Sequence, residues 1–298
     1  MEKVFSRPKQ FGEILDLTFR IIKDHFAKLF LLLLAINSPV IIIQVLVQIV
    51  AGRGLIRDLA PGENFIEQFI NTYTVNNDQL FNTTELSGNF IVMLVSLFVY
   101  PIATAVVFLI VKKIKDQQDY ELKAVVGESF SRFWPLLGSS ILFGIIAFFV
   151  IVIPMAILVA LIGLSFGMGG ILAGIVLIFV LLAALLGILL LVFRWSFYFP
   201  ITLFDEAPGI SASFRLTRGR TWITFGLYIT LFLISMFIGS AVEFLSLFLG
   251  MSVLYTTILN VVSVFTSMIT TVGIAVIYFD LEVRQTGSDL KEMIDAYQ

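Results

Sequence analysis

Six unbroken apolar runs constrain this chain more than any other feature, because each exceeds the roughly 20 residues that cross a ~30 Å hydrocarbon layer as a helix. Hydrophobic residues make up 59% of the chain and charged residues 13%, whereas soluble domains average roughly 45–50% and about 25%. The sequence therefore predicts an all-α polytopic membrane protein with six transmembrane helices in a single integral membrane domain over residues 1–298. The predicted spans are 29–50, 90–111, 136–164, 170–193, 222–248 and 253–279.

Basic residues alternate between the segments that flank these runs. Only Arg53 and Arg57 fall on one side, and the other 17 of the 19 Lys and Arg residues fall on the opposite side. Because positively charged flanks are retained in the cytoplasm, both termini are predicted to be cytoplasmic, and 51–89 to be an extracytoplasmic loop. The predicted cytoplasmic segments are 1–28, 112–135, 194–221 and 280–298.

The outer loop contains a stretch, ENFIEQFINTY, whose apolar residues recur at helical spacing. This pattern predicts a short helix on the outer surface, either a lid over a binding site or, as we favour, a simple cap on the bundle. Its apolar face comprises Phe65, Ile66, Phe69, Ile70 and Tyr73.

An amphipathic stretch precedes each odd-numbered span on the predicted cytoplasmic side. The first carries Phe11, Ile14, Leu15, Phe19, Ile22 and Phe26 on one face, the second Leu122, Val125, Val126, Phe130 and Phe133, and the third Ile210 and Phe214. The segments TFRIIKDHFAKLF (18–30) and SFRLTRGRTWITF (213–225) align without a gap. The sequence thus predicts interfacial helices and three repeated units, each an interfacial helix followed by a two-helix hairpin.

Polar residues inside the spans predict where helices face one another or a cavity, since lipid offers no hydrogen-bond partner. Span 1 carries Asn37, Gln44 and Gln48 on one face, and span 6 carries Thr256, Asn260, Ser263, Ser267 and Thr270 at alternating steps of four and three. Small hydroxyl residues at this spacing favour helix packing over a pore lining.

Glu243 is the one acid inside a span, and an intramembrane carboxylate is a candidate for ion or proton coupling. Its position near the outer end of span 5 favours a hydrated structural role instead. The sequence has no cysteine, its single histidine is His25, and no catalytic triad or HExxH motif is present. We therefore predict no enzymatic activity and no cofactor.

Three arginines and a tryptophan crowd the stretch SFRLTRGRTW at the start of span 5. Positive charge and an interfacial aromatic ring account for this composition as a cytoplasmic anchor. Anionic lipid headgroups are the favoured specific contact, at about 1 kcal/mol per basic side chain. The candidate headgroup contacts are Arg194, Arg215, Arg218, Arg220 and Trp222.

Two stretches in the second half of the chain carry a family resemblance. RWSFYFPITLFDEAPGISASFRLTRGRTW, from Arg194, and YFDLEVRQTGSDL, at 278–290, resemble segments of a bacterial family of multi-spanning proteins related to the membrane domain of glycerophosphodiester phosphodiesterases. The matching residues are Arg194, Pro200, Glu206, Ser213, Thr217, Arg218 and Gly219 in the first stretch, and Tyr278, Asp280, Leu281, Arg284, Gly287, Asp289 and Leu290 in the second. The family commonly has an arginine at the position of Glu282 and an acidic residue at the position of Thr286, and this chain departs from it at both. The resemblance implies the fold and a bacterial plasma membrane, and it does not imply phosphodiesterase activity.

Three hypotheses follow for function. The first is a non-enzymatic accessory or scaffold component of a membrane complex or of the lipid environment. A transporter or channel for a lipid-like or small amphipathic solute is the alternative, and a membrane-embedded lipid-modifying enzyme is third. Expected partners are membrane lipids and either a protein partner or further copies of this chain. Nucleic acid is not expected, since the net charge is only −2.

Overall fold

The computed structural model describes residues 7–74, 83–168, 170–205 and 209–296, and 86% of these residues are helical. The described part contains no β-strand. The helices are α1 (Phe11–Val50), α2 (Phe65–Thr74), α3 (Thr83–Lys115), α4 (Leu122–Ser131), α5 (Phe133–Met168), α6 (Gly170–Trp195), α7 (Tyr198–Phe204), α8 (Ile210–Leu216), α9 (Thr221–Ser246) and α10 (Val253–Ala296), with one 3₁₀ turn at Leu247–Leu249.

Six of these helices, α1, α3, α5, α6, α9 and α10, are long and apolar enough to cross a membrane. Each predicted span lies within one of them, apart from the last two residues of 222–248, which fall in the 3₁₀ turn. The predicted all-helical, six-span architecture is therefore confirmed. The proposed threefold repeat stays a prediction.

The chain divides into two compact units. The first comprises residues up to 131 together with 227–280, and the second comprises 132–226 together with 281–298. Both α9 and α10 contribute to each unit, because the divisions fall within these helices.

In the first unit, the predicted interfacial helix and span 1 form one continuous helix. Helix α1 runs for 40 residues and departs from helical geometry only at His25, where φ is −118° and ψ is 15°. The ring nitrogen Nδ1 of His25 lies 3.2 Å from the hydroxyl of Tyr120, in the loop after α3. Burial raises the pKa of that Tyr120 hydroxyl.

The predicted apolar face of the N-terminal part of α1 divides in the structure. Ile14 and Ile22 are buried, whereas Phe11, Phe19 and Phe26 are partly exposed. Aromatic side chains on the outside of a helix suit the membrane interface, where amphipathic surfaces meet lipid.

Helix α1 packs along α3, and an ion pair joins the segment just after α1 to the first turn of α3. The Arg53 guanidinium donates to both oxygens of the Glu85 carboxylate, at 2.5 and 3.1 Å, and the two side chains are only 12% and 17% exposed. Hydrogen bonding to Glu85 raises the pKa of Arg53. The charges of Arg53 and Glu85 therefore neutralise each other.

The segment after α1 pairs with the turn between α9 and α10. The Asp58 amide donates to the Leu249 carbonyl at 3.1 Å, and the Met251 amide donates to the Asp58 carbonyl at 3.1 Å. Gly250 lies between these partners with φ +63°, and a Cβ there would fall 2.0 Å from the Asp58 carbonyl oxygen. Only glycine fits this close backbone approach.

The predicted outer helix exists as α2, and its apolar residues take two different environments. Phe65 and Phe69 contact the ring of Phe248, with ring centroids 5.9 and 6.5 Å apart. Ile66 and Ile70 are exposed. The side chain of Tyr73 lies outside the described part of the structure.

The second unit contains the α5–α6 hairpin and two short helices that follow it. Residues 197–203, in and next to α7, are almost entirely buried. Tyr198 stacks on Phe143 at 4.5 Å and donates to the Ser140 hydroxyl at 3.1 Å. Pro200 lies in the first turn of α7, where its missing amide N–H leaves no helical acceptor unpaired.

Helix α10 extends well beyond predicted span 6. Its 44 residues carry the predicted cytoplasmic tail to Ala296 as helix. Its side chains are described through residue 285 and at Gly287.

Candidate anion-binding cleft

The arginine-rich stretch folds as the end of α8, a tight turn and the start of α9. Gly219 has φ +82°, a left-handed conformation that glycine adopts without steric cost. The Arg220 amide and the Thr221 hydroxyl both donate to the Thr217 carbonyl, at 3.3 and 3.0 Å. These bonds fix the turn and, with it, the directions in which Arg218 and Arg220 leave the backbone.

A set of contacts from α6 holds α8 in position. The Arg194 guanidinium donates to the Thr217 hydroxyl at 3.2 Å and to the Phe214 carbonyl at 3.0 Å, and it lies over the Phe214 ring at 4.3 Å. The Ser213 hydroxyl donates to the Arg194 carbonyl. Arg194, predicted as a headgroup contact, is thus directed at α8 and not at the cleft described next.

The other three predicted arginines surround a cleft of about 270 Å³ in the second unit. Its wall comes from α8, from the turn and from the C-terminal extension of α10. The residues lining it are Arg215, Leu216, Arg218, Gly219, Arg220, Leu281, Arg284 and Gln285. Arg284 and Gln285 were not among the predicted headgroup contacts, although Arg284 belongs to the family-like motif.

The cleft has a strongly positive lining. Four arginines are among the residues that line it, and none of the described residues that line it is acidic. The start of α9 next to Arg220 adds the partial positive charge of a helix N-terminus. The arrangement is chemically suited to an anion with several oxygen acceptors.

Exposed tryptophans belong to the same unit as the cleft. Trp222 is the second residue of α9 and is 68% exposed, and Trp134 is the second residue of α5 and is 73% exposed. Trp195, at the end of α6, lies against Phe214 with ring centroids 5.8 Å apart. All three tryptophans of the chain therefore lie at helix ends in this unit, as expected for an interfacial aromatic belt.

The predicted polar face within the membrane belongs to the first unit and is made of locally bonded side chains. The Asn37 amide donates to the Leu33 carbonyl at 2.8 Å, and the Asn260 amide donates to the Thr256 carbonyl at 2.9 Å. The Ser267 hydroxyl donates a hydrogen bond to a carbonyl of its own helix, α10, whereas the Ser263 side chain is exposed. Gln44 and Gln48 are half-buried on α1.

One polar contact joins two spans at this stripe. The hydroxyls of Ser235 on α9 and Thr270 on α10 lie 2.9 Å apart. One turn further, a Cβ at Gly273 would lie 2.3 Å from Cδ1 of Leu231. Close approach at small residues is the arrangement of helix packing.

Glu243 lies close to the C-terminal end of α9, and it is exposed. The position matches a hydrated carboxylate near the end of a span better than a buried coupling site. Among the described residues, no group of three or more His, Asp or Glu side chains could hold a metal ion.

The family-like motif residues take separate positions. Asp280 is 3% exposed and accepts the Lys9 amide N–H at 2.7 Å, and Tyr278 contacts Phe108 with ring centroids 6.4 Å apart. Arg284 lines the cleft. The Asp289 side chain and the whole of Glu206 lie outside the described part of the structure.

Comparisons with protein-family models, with curated proteins and with solved structures found no match. The resemblance to the membrane domain of glycerophosphodiester phosphodiesterases therefore stays a prediction.

Proposed function

We propose that this chain is a non-enzymatic, multi-pass protein of the bacterial plasma membrane that binds anionic phospholipid headgroups at its cytoplasmic end. In this proposal it acts as an accessory component that organises lipid, or a lipid-dependent complex, around itself. Its N- and C-termini are cytoplasmic.

The observation that carries the proposal is the cleft with four arginines. Arg215 and Arg218 are exposed, so their charges are accessible to a headgroup, while Leu216 and Leu281 supply apolar wall. The positive-inside distribution assigns this end of the spans to the cytoplasmic leaflet, where anionic lipids attract basic residues. Trp222 and Trp134 support the same interfacial depth.

The transport hypothesis stays a prediction from the sequence. Asn37 and Asn260 each donate one amide N–H to a carbonyl of their own helix, an arrangement that needs no water or solute for that donor.

Native mass spectrometry of the protein released from mild detergent tests the proposal by counting retained lipids. The wild type should retain anionic phospholipid in preference to zwitterionic phospholipid. The double variant Arg215→Gln/Arg218→Gln should lose this preference, because two of the four charges of the cleft are removed.

Lys123→Gln/Arg132→Gln is the matched control, since it removes two exposed charges on the same predicted side but outside the cleft. It should retain lipid like the wild type. Equal lipid retention by both double variants would contradict the proposal and leave the arginines as topological anchors only.

A further inference from the structure

We infer that α2 and the segment between α1 and α2 lie against the membrane, with Leu55, Ile56 and Ile66 in contact with lipid. The lipid belongs to the leaflet at this end of the spans, which is the extracytoplasmic leaflet in the proposed topology. All of these residues belong to the first unit, so the inference is independent of the arginine cleft in the second unit.

The region carries large apolar side chains that remain largely exposed. Leu55, Ile56 and Ile66 are 65%, 69% and 69% exposed. Phe248, against which α2 packs, is still 53% exposed. Because removing apolar surface from water is favourable, exposed side chains of this size concentrated in one region indicate contact with a membrane or with another protein.

Polar side chains of α2 are directed at the protein. The Gln68 side-chain amide donates to the Gly62 carbonyl at 3.1 Å, and the Asn71 side-chain amide donates to the Pro61 carbonyl at 2.9 Å. A helix that lies between a protein and water has the opposite arrangement, with polar side chains outward and apolar side chains inward. The outward position of Ile66 therefore suits an apolar environment.

The segment that carries Leu55 and Ile56 has backbone bonds to the beginning of α10. The Val253 amide donates to the Gly54 carbonyl at 3.0 Å, and the Leu254 amide donates to the Leu55 carbonyl at 2.9 Å. An unpaired backbone group is costly next to hydrocarbon. These bonds satisfy both carbonyls within the protein, as lipid contact requires.

The ion pair between Arg53 and Glu85 places this region at the level of the lipid headgroups. Basic residues in the last turn of α3, including Lys112, mark one headgroup region. Glu85, in the first turn, lies about 40 Å from Lys112 along the helix. A bilayer with its headgroups is ~40–45 Å thick, so the ion pair reaches the opposite headgroup region. Arg57, close to this pair in sequence, lies over the Phe65 ring at 5.1 Å and connects α2 to the same level.

The surrounding surface favours lipid over a second protein as the partner. Phe244 and Leu245, one turn before Phe248, are 66% and 68% exposed on a helix that is long and apolar enough to cross a membrane. Exposed apolar surface on such a helix faces acyl chains. Because Phe65 of α2 contacts Phe248, the exposed surface of α2 adjoins this lipid-facing surface.

A spin label distinguishes lipid, water and protein as the surroundings of these side chains. The chain has no cysteine, so Ile66→Cys gives a single labelled position in the full protein, reconstituted in phosphatidylcholine vesicles. Power saturation measures collisions of the label with oxygen, which concentrates among acyl chains, and with a water-soluble nickel complex. Glu63→Cys is the matched control, an exposed polar position two residues before α2. The ratio of oxygen to nickel collisions should be several-fold higher at Ile66→Cys than at Glu63→Cys.

Two results would overturn the inference. Equal ratios at the two positions would show that Ile66 lies in water. Few collisions with either reagent at Ile66→Cys would show a protein surface, and dipolar broadening between labels would identify that protein as a second copy of this chain. Leu55→Cys should give the same high ratio as Ile66→Cys, and it provides the test if Ile66→Cys fails to fold.

Discussion

The guanidinium of Arg194 lies 4.3 Å from the centre of the Phe214 ring and also donates to the Phe214 carbonyl at 3.0 Å. One side chain at the end of α6 thus contacts both the ring and the backbone of α8. Since α8 carries Arg215 and leads into the turn with Arg218, this contact determines where two of the cleft charges lie.

Replacing Arg194 by methionine should lower the free energy of unfolding by about 2 kcal/mol, because charge-assisted hydrogen bonds and a cation–π contact are lost together. SDS titration of the purified protein in mixed micelles measures this change. Arg194→Lys should recover only part of the stability, since an ammonium cannot reproduce the planar two-donor contact. Equal stability of Arg194→Met and wild type would show that Arg194 does not hold α8.

The ion pair between Arg53 and Glu85, within the first unit, gives a second prediction. Glu85→Gln should destabilise the protein by about 2 kcal/mol, because it leaves the poorly exposed Arg53 guanidinium without its charged partner. The same unfolding assay applies.

The double variant Arg53→Met/Glu85→Leu removes both charges and should be more stable than Glu85→Gln alone. If Glu85→Gln unfolds at the same SDS fraction as the wild type, the pair contributes no stability.

Gly273 permits the close approach of α10 to Leu231 on α9. Gly273→Ala should lower the free energy of unfolding by about 1–3 kcal/mol, because its Cβ would overlap the fully buried Leu231 side chain. Adding Leu231→Ala should remove this overlap, so the double variant should lose less than the sum of the single variants.

Gly239→Ala is the control, since a Cβ at Gly239 on α9 meets no atom within 4 Å. Unchanged stability of Gly273→Ala would argue that the two helices pack less closely at this point.

The spans were predictable because hydrophobic runs of this length have few other stable arrangements. The length of α1 was harder to predict. No helix-breaking residue separates the amphipathic stretch from span 1, so the helix continues past His25 with only a local departure from helical geometry. Helix α7 was missed because its apolar run is short and contains Pro200, which usually indicates a helix boundary.

The cleft was predictable only in part. Arg215, Arg218 and Arg220 are adjacent in sequence, so their clustering is visible in the chain itself. Arg284 lies more than sixty residues away, and only the helical extension of α10 brings it to the same cleft. The inward orientation of Arg194 depends on the tertiary position of α8, which sequence periodicity does not contain.

Membrane orientation is testable with single cysteines, since the chain has none of its own. In intact cells, a membrane-impermeant maleimide should label Arg57→Cys and should leave Arg132→Cys unlabelled until the membrane is permeabilised. Both positions are exposed in the structure. Labelling of Arg132→Cys in intact cells would contradict the proposed topology and favour the inverted one.

The most direct test of the headgroup cleft uses a thiol within it. Gln285→Cys introduces a reactive group into the lining and keeps all four arginines, and Lys123→Cys is an exposed control outside the cleft. Reaction with a neutral maleimide is followed in nanodiscs of anionic or of zwitterionic phospholipid. We predict that anionic lipid slows the Gln285→Cys reaction several-fold relative to Lys123→Cys. An equal effect of anionic lipid on both cysteines would contradict occupation of the cleft by headgroups.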